Sequence, residues 1–367
     1  MSNIISLNVP LRRARLAERT PALIGCFAKH RRIVEDVFWL KENAELLNIL
    51  ECTGQQIAPD ALAPHAEFYV SLAERLTFFP QYYRFLLSIG LDLEDLGMPG
   101  HQMEGLCDAV ARQGLPDAEL SDLQRAEARR LLARRGIASP ADAGLDDRLR
   151  AFIDRAATFA LPNKKAAYEL THIIFYLSEY GRRDPGLSPD ALCSLEYAGI
   201  LAYLDQNIDL LAEVCVALRH AGQTPAPLWD EAVRSHLRDF TVQQDVSAPL
   251  SDGYHDYLVS TWAVATMGHD DSALAVPDAR CLFTARPALD SALRPLSAIL
   301  MSFAGARHAG WDMMRDAVLE AMPPDGAAII AASEDATPHF DDFFEVFARA
   351  GCLSRQVSHG KRRATSA

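Results

Sequence analysis

The sequence predicts an all-α protein, and three features of its pattern support that prediction. Apolar residues recur at helical spacing over long stretches, most clearly in NKKAAYELTHIIFYLSEYG at residues 163–181. Ser or Thr followed by Pro suits the first turn of a helix, and this pair occurs at residues 139–140, 188–189 and 337–338. No segment repeats at a regular period, which favours an irregular helical array or an α/α toroid-like bundle over a solenoid.

The first half of the chain is predicted to form a succession of helices. Residues 1–20 are expected to be a flexible arm. A helix over VEDVFWLKENAELLNILE ends before Gly54, where a left-handed C-cap is expected, and a later helix ends at Gly97. The section 100–157 is rich in Ala and Arg, which is typical of exposed amphipathic helices. Together these helices form a predicted N-terminal subdomain over residues 21–157.

A C-terminal helical subdomain is predicted over residues 158–357, followed by a disordered basic tail at 358–367. The apolar pattern at 189–222 is long for one helix, so we expect either a break near Gly199 or one continuous buried helix. Two short segments have strand character, RCLFTA and AAIIAAS, and could pair as a small β ribbon near the C-terminus. Further helices are predicted at 225–240, 251–267, 288–304, 311–321 and 339–351.

Composition excludes several classes of protein. The net charge is −13, with 49 acidic and 36 basic residues, and this balance argues against a nucleic-acid-binding groove. No run of apolar residues approaches the length of a membrane span. The seven cysteines are dispersed, without a C-x-x-C pair, as in a reduced protein of the cytoplasm. The sequence therefore predicts a soluble cytoplasmic protein.

The clearest helix carries the first candidate site. Glu169, His172 and Tyr176 are spaced i, i+3 and i+7, so they share one side of the helix. His172 could act as a general base or metal ligand, with Glu169 orienting it and Tyr176 donating a hydrogen bond. Tyr168 and Phe175 lie beside this face, and aromatic side chains suit the wall of a cavity. The favoured alternative is a structural histidine, hydrogen-bonded between packed helices.

A second candidate is acidic. Asp205, Asp209 and Glu213 are spaced i, i+4 and i+8, which would place three carboxylates on one face of a single helix. Asp205 and Asp209, with His172 as a further ligand, would suit a divalent metal ion. The favoured alternative is a solvated acidic face, since acidic residues are abundant throughout the chain.

A third candidate is His255, which falls on the apolar face of its predicted helix. A histidine that points inward needs a partner, which could be a metal ion, a carboxylate of another helix or a backbone carbonyl. Helix bundles build di-iron sites from two E-x-x-H motifs, and this chain contains the motif once, at Glu169 and His172. The sequence thus favours a mononuclear metal site, if any, over a di-iron site.

These candidates indicate a small-molecule enzyme or ligand-binding protein, and they leave open whether the chain catalyses a reaction. The sequence contains no P-loop, no dinucleotide glycine fingerprint and no G-x-S-x-G motif. The alternative is a helical adaptor that binds a protein partner through Phe78, Phe79, Tyr82 and Tyr83. Substrate and oligomeric state are not specified by these patterns.

Three segments carry a resemblance to a known family: DVFWLKENAELLNILE, FFPQYYRFLLSIGLDLEDLG and YELTHIIFYLSEYGRRDPG. They resemble an uncharacterised bacterial family that is classed as a domain of unknown function. The resemblance covers about residues 37–353 and implies one shared architecture. It implies no reaction, cofactor or catalytic residue.

Overall fold

The structure is a computed structural model, and it describes residues 16–138, 143–249, 251–268, 276–287 and 289–350. This part of the chain is mainly helical and contains a single two-stranded antiparallel sheet, which confirms the all-α class and the small ribbon. None of the helices in these ranges has the length and apolar character needed to cross a membrane.

Helices follow one another along most of the chain, and the two strands lie in its second half. The first elements are α1 (Leu16–Gly25), α2 (Val37–Cys52), α3 (Ala66–Val70), α4 (Leu72–Phe78), α5 (Tyr83–Asp95), α6 (Gln102–Arg112), α7 (Asp122–Ala133), α8 (Leu145–Ile153) and α9 (Ala156–Phe159). The next are α10 (Lys164–Leu177), α11 (Pro189–Leu204), α12 (Ile208–His220), α13 (Pro227–Asp239), β1 (Thr241–Gln244), α14 (Tyr254–Thr266) and β2 (Cys281–Thr284). The last are α15 (Leu293–Ser302), α16 (Trp311–Ala321), α17 (Pro324–Ala336) and α18 (Phe340–Ala348).

The chain divides into two compact units, each built from two separate stretches. The first unit contains the described residues of Met1–Leu145 and Arg234–Arg286, and the second contains those of Asp146–Val233 and Pro287–Ala367. The sequence predicts a different division, with one boundary after residue 157. The difference arises because α14 packs against α2, which returns the second stretch to the N-terminal unit.

The core of the first unit surrounds α2. Asp36 caps this helix by accepting a hydrogen bond from the backbone N–H of Phe38, and α5 packs along it. Trp39 and Leu47 of α2 are fully buried. The sheet belongs to the same unit and pairs Thr241 with Thr284 at one end of its register.

In the second unit, α11 is the central helix and packs against α9, α12 and α17. Its side chains are buried on several faces, including Leu195, Ala198 and Ile200. Gly199 lies within this helix, and a Cβ atom placed there would approach the ring of Trp229 within 2.5 Å. The glycine therefore permits a close approach of α13 and does not break the helix.

The predicted break near Gly199 is wrong, and so is the alternative of one continuous helix. The chain breaks later, between α11 and α12, where Gln206 has a left-handed φ of 53°. Asn207 then starts α12, because its side chain accepts a hydrogen bond from the backbone N–H of Leu210. The polar residues at 205–207 end one helix and begin the next.

Two further predictions need correction. AAIIAAS belongs to α17 and not to the ribbon, because Pro324 and Asp325 suit the first turn of a helix and the apolar residues follow at helical spacing. RCLFTA does contain a strand, β2, but its partner is β1. The arm predicted for residues 1–20 lies mostly outside the described residues, and α1 already begins at Leu16.

The three predicted Ser-Pro or Thr-Pro helix starts have different outcomes. Ser188 caps α11 through the backbone N–H of Ala191, so this start is confirmed. Thr337 instead lies at the end of α17, and α18 begins three residues later, at Phe340. The pair at 139–140 and the tail at 358–367 lie outside the described residues.

Candidate functional site

Helix α10 carries the residues of the first candidate site, and its ends are fixed by local chemistry. Asn163 caps its first turn by accepting a hydrogen bond from the backbone N–H of Ala166. The helix ends at Leu177, earlier than the predicted 181, because Glu179, Tyr180 and Gly181 all have positive φ angles. A right-handed helix cannot continue through such a segment.

His172 is half-buried on α10 and is held by its own helix. Its Nδ1–H donates to the backbone oxygen of Tyr168 at 2.8 Å. Because a carbonyl oxygen only accepts, Nδ1 carries the proton and Nε2 carries the lone pair in the neutral ring. This tautomer is compatible with a general base that acts through Nε2.

The carboxylate nearest His172 is not the predicted one. Glu213 of α12 lies 3.6 Å from His172 Nδ1, and Glu213 Oε2 also accepts a hydrogen bond from the hydroxyl of Thr171. Glu169 instead lies 4.0 Å from Lys165 on the outer side of α10. Glu213 is 3% exposed, so the interpretation of a solvated acidic face does not hold for this residue.

Asp209 makes the next contact between α10 and α12. The hydroxyl of Tyr168 donates to Asp209 Oδ2 at 2.6 Å. Burial first, and then the negative charge of Asp209, raises the pKa of Tyr168. The phenol therefore stays protonated and remains a donor to the carboxylate.

Asp205 is separated from Asp209 by the break between α11 and α12. Its carboxylate lies at the end of α11, where Oδ2 is 2.8 Å from Lys164 Nζ and Oδ1 accepts a hydrogen bond from Ser291 at 2.8 Å. The predicted single acidic face of Asp205, Asp209 and Glu213 is therefore wrong in its geometry. The helix break assigns Asp205 to a different set of neighbours.

Tyr176 and Phe175 of α10 pack against other rings of the second unit. Tyr176 is 9% exposed, and its ring lies edge-on to His172 at 6.2 Å. Phe175 packs on Tyr180 and on His220 at ring distances of 5.8 and 5.9 Å. Burial lowers the pKa of His220 to about 4, so this imidazole is neutral at physiological pH.

A pocket of about 190 Å³ lies at the start of α10, within the second unit. Its polar lining is contributed by Lys164 and Asp205 together with the capping residues Asn163 and Asn207. Asn207 also accepts a hydrogen bond from the backbone N–H of Leu210, so the pocket wall includes the residue that caps α12. Most of the remaining wall is apolar, with lining residues Ala167, Ala198, Leu201, Ala202, Leu210 and Leu293.

This pocket combines two features of small-molecule sites: a mostly apolar wall and a few oriented polar groups. Asp205 was predicted, but as a metal ligand. The contributions of Lys164 and the two asparagines were missed, although an Asn before a helical pattern is a recognisable cap signal. Ser291 is 86 residues from Asp205, and no local pattern predicts that contact.

His255 belongs to the first unit, whereas the other predicted site residues belong to the second. Its Nδ1 lies 3.2 Å from Glu45 of α2, so its partner is a carboxylate of another helix, one of the three predicted kinds. Burial raises the pKa of Glu45, but the hydrogen bond from His255 and the charges of His255 and Lys41 together outweigh it, and the pKa of Glu45 lies below its usual value. His255 thus takes part in a histidine–carboxylate contact of the first unit.

The metal prediction gains no support from these positions. Among the described residues, no three His, Cys, Asp or Glu side chains are grouped so that they could hold a metal ion. The assignment of Asp205, Asp209 and His172 as ligands therefore stays a prediction.

The aromatic residues of the predicted adaptor surface differ in exposure. Phe78 and Phe79 are 76% and 44% exposed, and their rings lie 5.5 Å apart, with Tyr82 next to Phe79. Tyr83 is 3% exposed and belongs to the core, so it is removed from this surface. Binding of a protein partner here stays a prediction.

Comparison with known proteins gives one match. The profile of a family described as a domain of unknown function, DUF6902, matches residues 1–350. No curated protein and no solved structure matches the chain.

Proposed function

Since the chain belongs to the DUF6902 family, for which no function is described, we propose from geometry alone that its second unit binds a small organic molecule. The observation that carries the proposal is the pocket beside Lys164 and Asp205, where an apolar wall meets a charged edge. Its volume of about 190 Å³ is below the roughly 300–1,000 Å³ of clefts that hold drug-sized ligands. The occupant is therefore a small metabolite.

The polar contacts on the adjoining face of α10 support the same location. Asp209, Glu213 and His172 are oriented by hydrogen bonds or close contacts within the helix pair, and this is how proteins hold groups in a fixed geometry. His172 remains the predicted base if the chain is an enzyme. Binding in the pocket does not require that role.

Thermal unfolding of the full chain with a library of small metabolites tests the proposal. A ligand that binds only the folded state raises the melting temperature, by an amount equivalent to about 2.7 kcal/mol at one hundred times its Kd. Ala167→Leu enlarges a side chain into the pocket and should abolish that shift while leaving the unliganded protein folded. The matched control is Ala151→Leu, at an exposed position of α8.

Two results would contradict the proposal. One is a library in which no compound shifts the melting temperature of the wild type. The other is a ligand that raises the melting temperature of Ala167→Leu as much as that of Ala151→Leu, since this ligand would then bind elsewhere.

A further inference from the structure

The charged edge of the pocket is the ion pair between Lys164 and Asp205, and these two side chains differ in how firmly they are held. Asp205 is 20% exposed and is held on its other oxygen by the Ser291 hydroxyl. Lys164 is 65% exposed, so its ammonium group is already largely hydrated. A ligand can therefore displace Lys164 from Asp205 at small cost, whereas Asp205 stays in place.

The side chain next to Lys164 adds a hydrogen-bond donor to that end of the pocket. Asn163 lines the pocket, and its amide oxygen accepts a hydrogen bond from the backbone N–H of Ala166, so its amide nitrogen is the group that can donate to a ligand. Lys164 and Asn163 thus offer donors, while Asp205 offers an acceptor. The pocket has a positive side and a negative side.

The apolar wall limits the size and shape of what lies between these two sides. Three alanines, Ala167, Ala198 and Ala202, leave the space that larger side chains would fill. Leu201 and Leu210 close the wall, and both are buried. This surface suits a short branched aliphatic group, which gains free energy by leaving water.

From this arrangement we infer that the occupant is a zwitterion with an aliphatic side chain, that is, an α-amino acid of the size of valine or leucine. Its ammonium group pairs with Asp205, its carboxylate pairs with Lys164 and Asn163, and its side chain lies against the alanines. A ligand with a single charge would pair with only one of Lys164 and Asp205. The other residue would lose its present ion pair and gain no new one. The inference rests on the proposed function, because it names the ligand class of the same pocket.

Titration calorimetry of the full chain with four probes tests the ligand class. L-Leucine and L-valine carry both charges, 4-methylpentanoate lacks the ammonium group, and 3-methylbutylamine lacks the carboxylate. We expect one of the amino acids to bind at least about tenfold more tightly than both singly charged analogues, which corresponds to about 1.4 kcal/mol. Equal or tighter binding of either analogue would overturn the inference, and so would the absence of binding by both amino acids.

Charge variants identify which group meets which residue. Asp205→Asn should weaken binding of the amino acid and of the amine but not of 4-methylpentanoate, and Lys164→Gln should weaken the amino acid and 4-methylpentanoate but not the amine. Asp190→Asn, at an exposed position near the start of α11, is the control and should change none of them. If both site variants weaken all probes equally, the assignment of opposite charges is wrong.

The two proposals fail in different ways. If library compounds bind in a manner that Ala167→Leu abolishes, but both amino acids do not bind, the pocket is a binding site and the zwitterion inference is wrong. If an amino acid binds to Ala167→Leu as well as to the wild type, it binds outside this pocket, and both proposals are wrong.

Discussion

His65 shows how a single buried residue couples the stability of the first unit to pH. The ring is fully buried, and its Nε2–H donates to the side-chain oxygen of Asn43 at 2.7 Å. Its Nδ1 makes no hydrogen bond within the part of the chain that the structure describes. Burial lowers the pKa of His65 to about 4, below the value of about 6.5 in an unfolded chain.

The lowered pKa predicts a loss of stability in mildly acidic solution. Between pH 6.5 and 4 the unfolded chain binds a proton at His65 that the folded chain does not bind, so the free energy of unfolding falls as the pH falls. The contribution of this residue is about 3 kcal/mol over that interval. His65→Gln keeps a donor for Asn43 and does not titrate, so its stability should fall less steeply.

Urea unfolding of both proteins at pH values from 7 to 4 measures the difference. Carboxylates contribute to the slope in both proteins and cancel in the comparison. Parallel loss of stability in the wild type and in His65→Gln would show that His65 is not held neutral by burial.

At the scale of the element, Gly199 in α11 gives opposite predictions from propensity and from packing. Helix propensity alone predicts that Gly199→Ala stabilises the protein by about 1 kcal/mol. The added Cβ would meet three ring atoms of Trp229 at 2.5 to 3.0 Å, and neither the helix nor the buried indole can move away freely. Overpacking of this kind costs about 1–3 kcal/mol, so we expect a net destabilisation.

A matched substitution separates the two effects. Gly105 lies inside α6, and a Cβ placed there meets no atom within 4 Å. Gly105→Ala should stabilise by about 0.5–1 kcal/mol, as propensity predicts. Chemical unfolding of both variants provides the comparison, and stabilisation by Gly199→Ala would mean that the contact with Trp229 is looser than these distances indicate.

The elements also show what the sequence could predict. Asn163 and Ser188 begin helices that were predicted, because a cap acts on backbone groups within three residues and leaves a local signal. The break at Gln206 was missed because Gly199 offered a stronger local signal. The role of that glycine depends on Trp229, which lies 30 residues further along the chain.

The same distinction holds for the candidate site. His172 was predicted to lie on a helix face with polar and aromatic neighbours, and the structure places it there. Its nearest carboxylate, Glu213, is on another helix, and the partner of His255, Glu45, is 210 residues away in sequence. Helical spacing predicts which residues share a face of one helix, but it contains no information about which helix packs opposite.

At the scale of the whole molecule, the first unit depends on contacts between distant stretches of the chain. Arg31 is 6% exposed and joins Glu42 of α2 to Asp252, which lies just before α14. Its guanidinium also lies about 5 Å from the ring centres of Phe27, Tyr254 and Phe283, the last of which is in β2. Arg31 thus connects the N-terminal helices with the stretch 234–286.

We therefore predict that Arg31→Met destabilises the first unit by about 3 kcal/mol. Methionine fills much of the same volume, but it leaves the buried carboxylate of Asp252 without its guanidinium, and such a loss costs about 3–5 kcal/mol. Glu42 keeps its ion pair with Arg32, which places the expected cost at the lower end. The control is Arg315→Met, which breaks the partly exposed pair with Glu334 in the second unit and should change stability much less.

Hydrogen exchange measured by mass spectrometry tests the connection as well as the cost. If Arg31 joins the two stretches, peptides from α2 and peptides from β1 and β2 should lose protection together in Arg31→Met, because both are held by the same buried charge. Arg315→Met should leave these peptides unchanged. Loss of protection in α2 alone would show that the stretch 234–286 is held to the unit by its apolar contacts, such as that of Phe27 with Phe283, and not by Arg31.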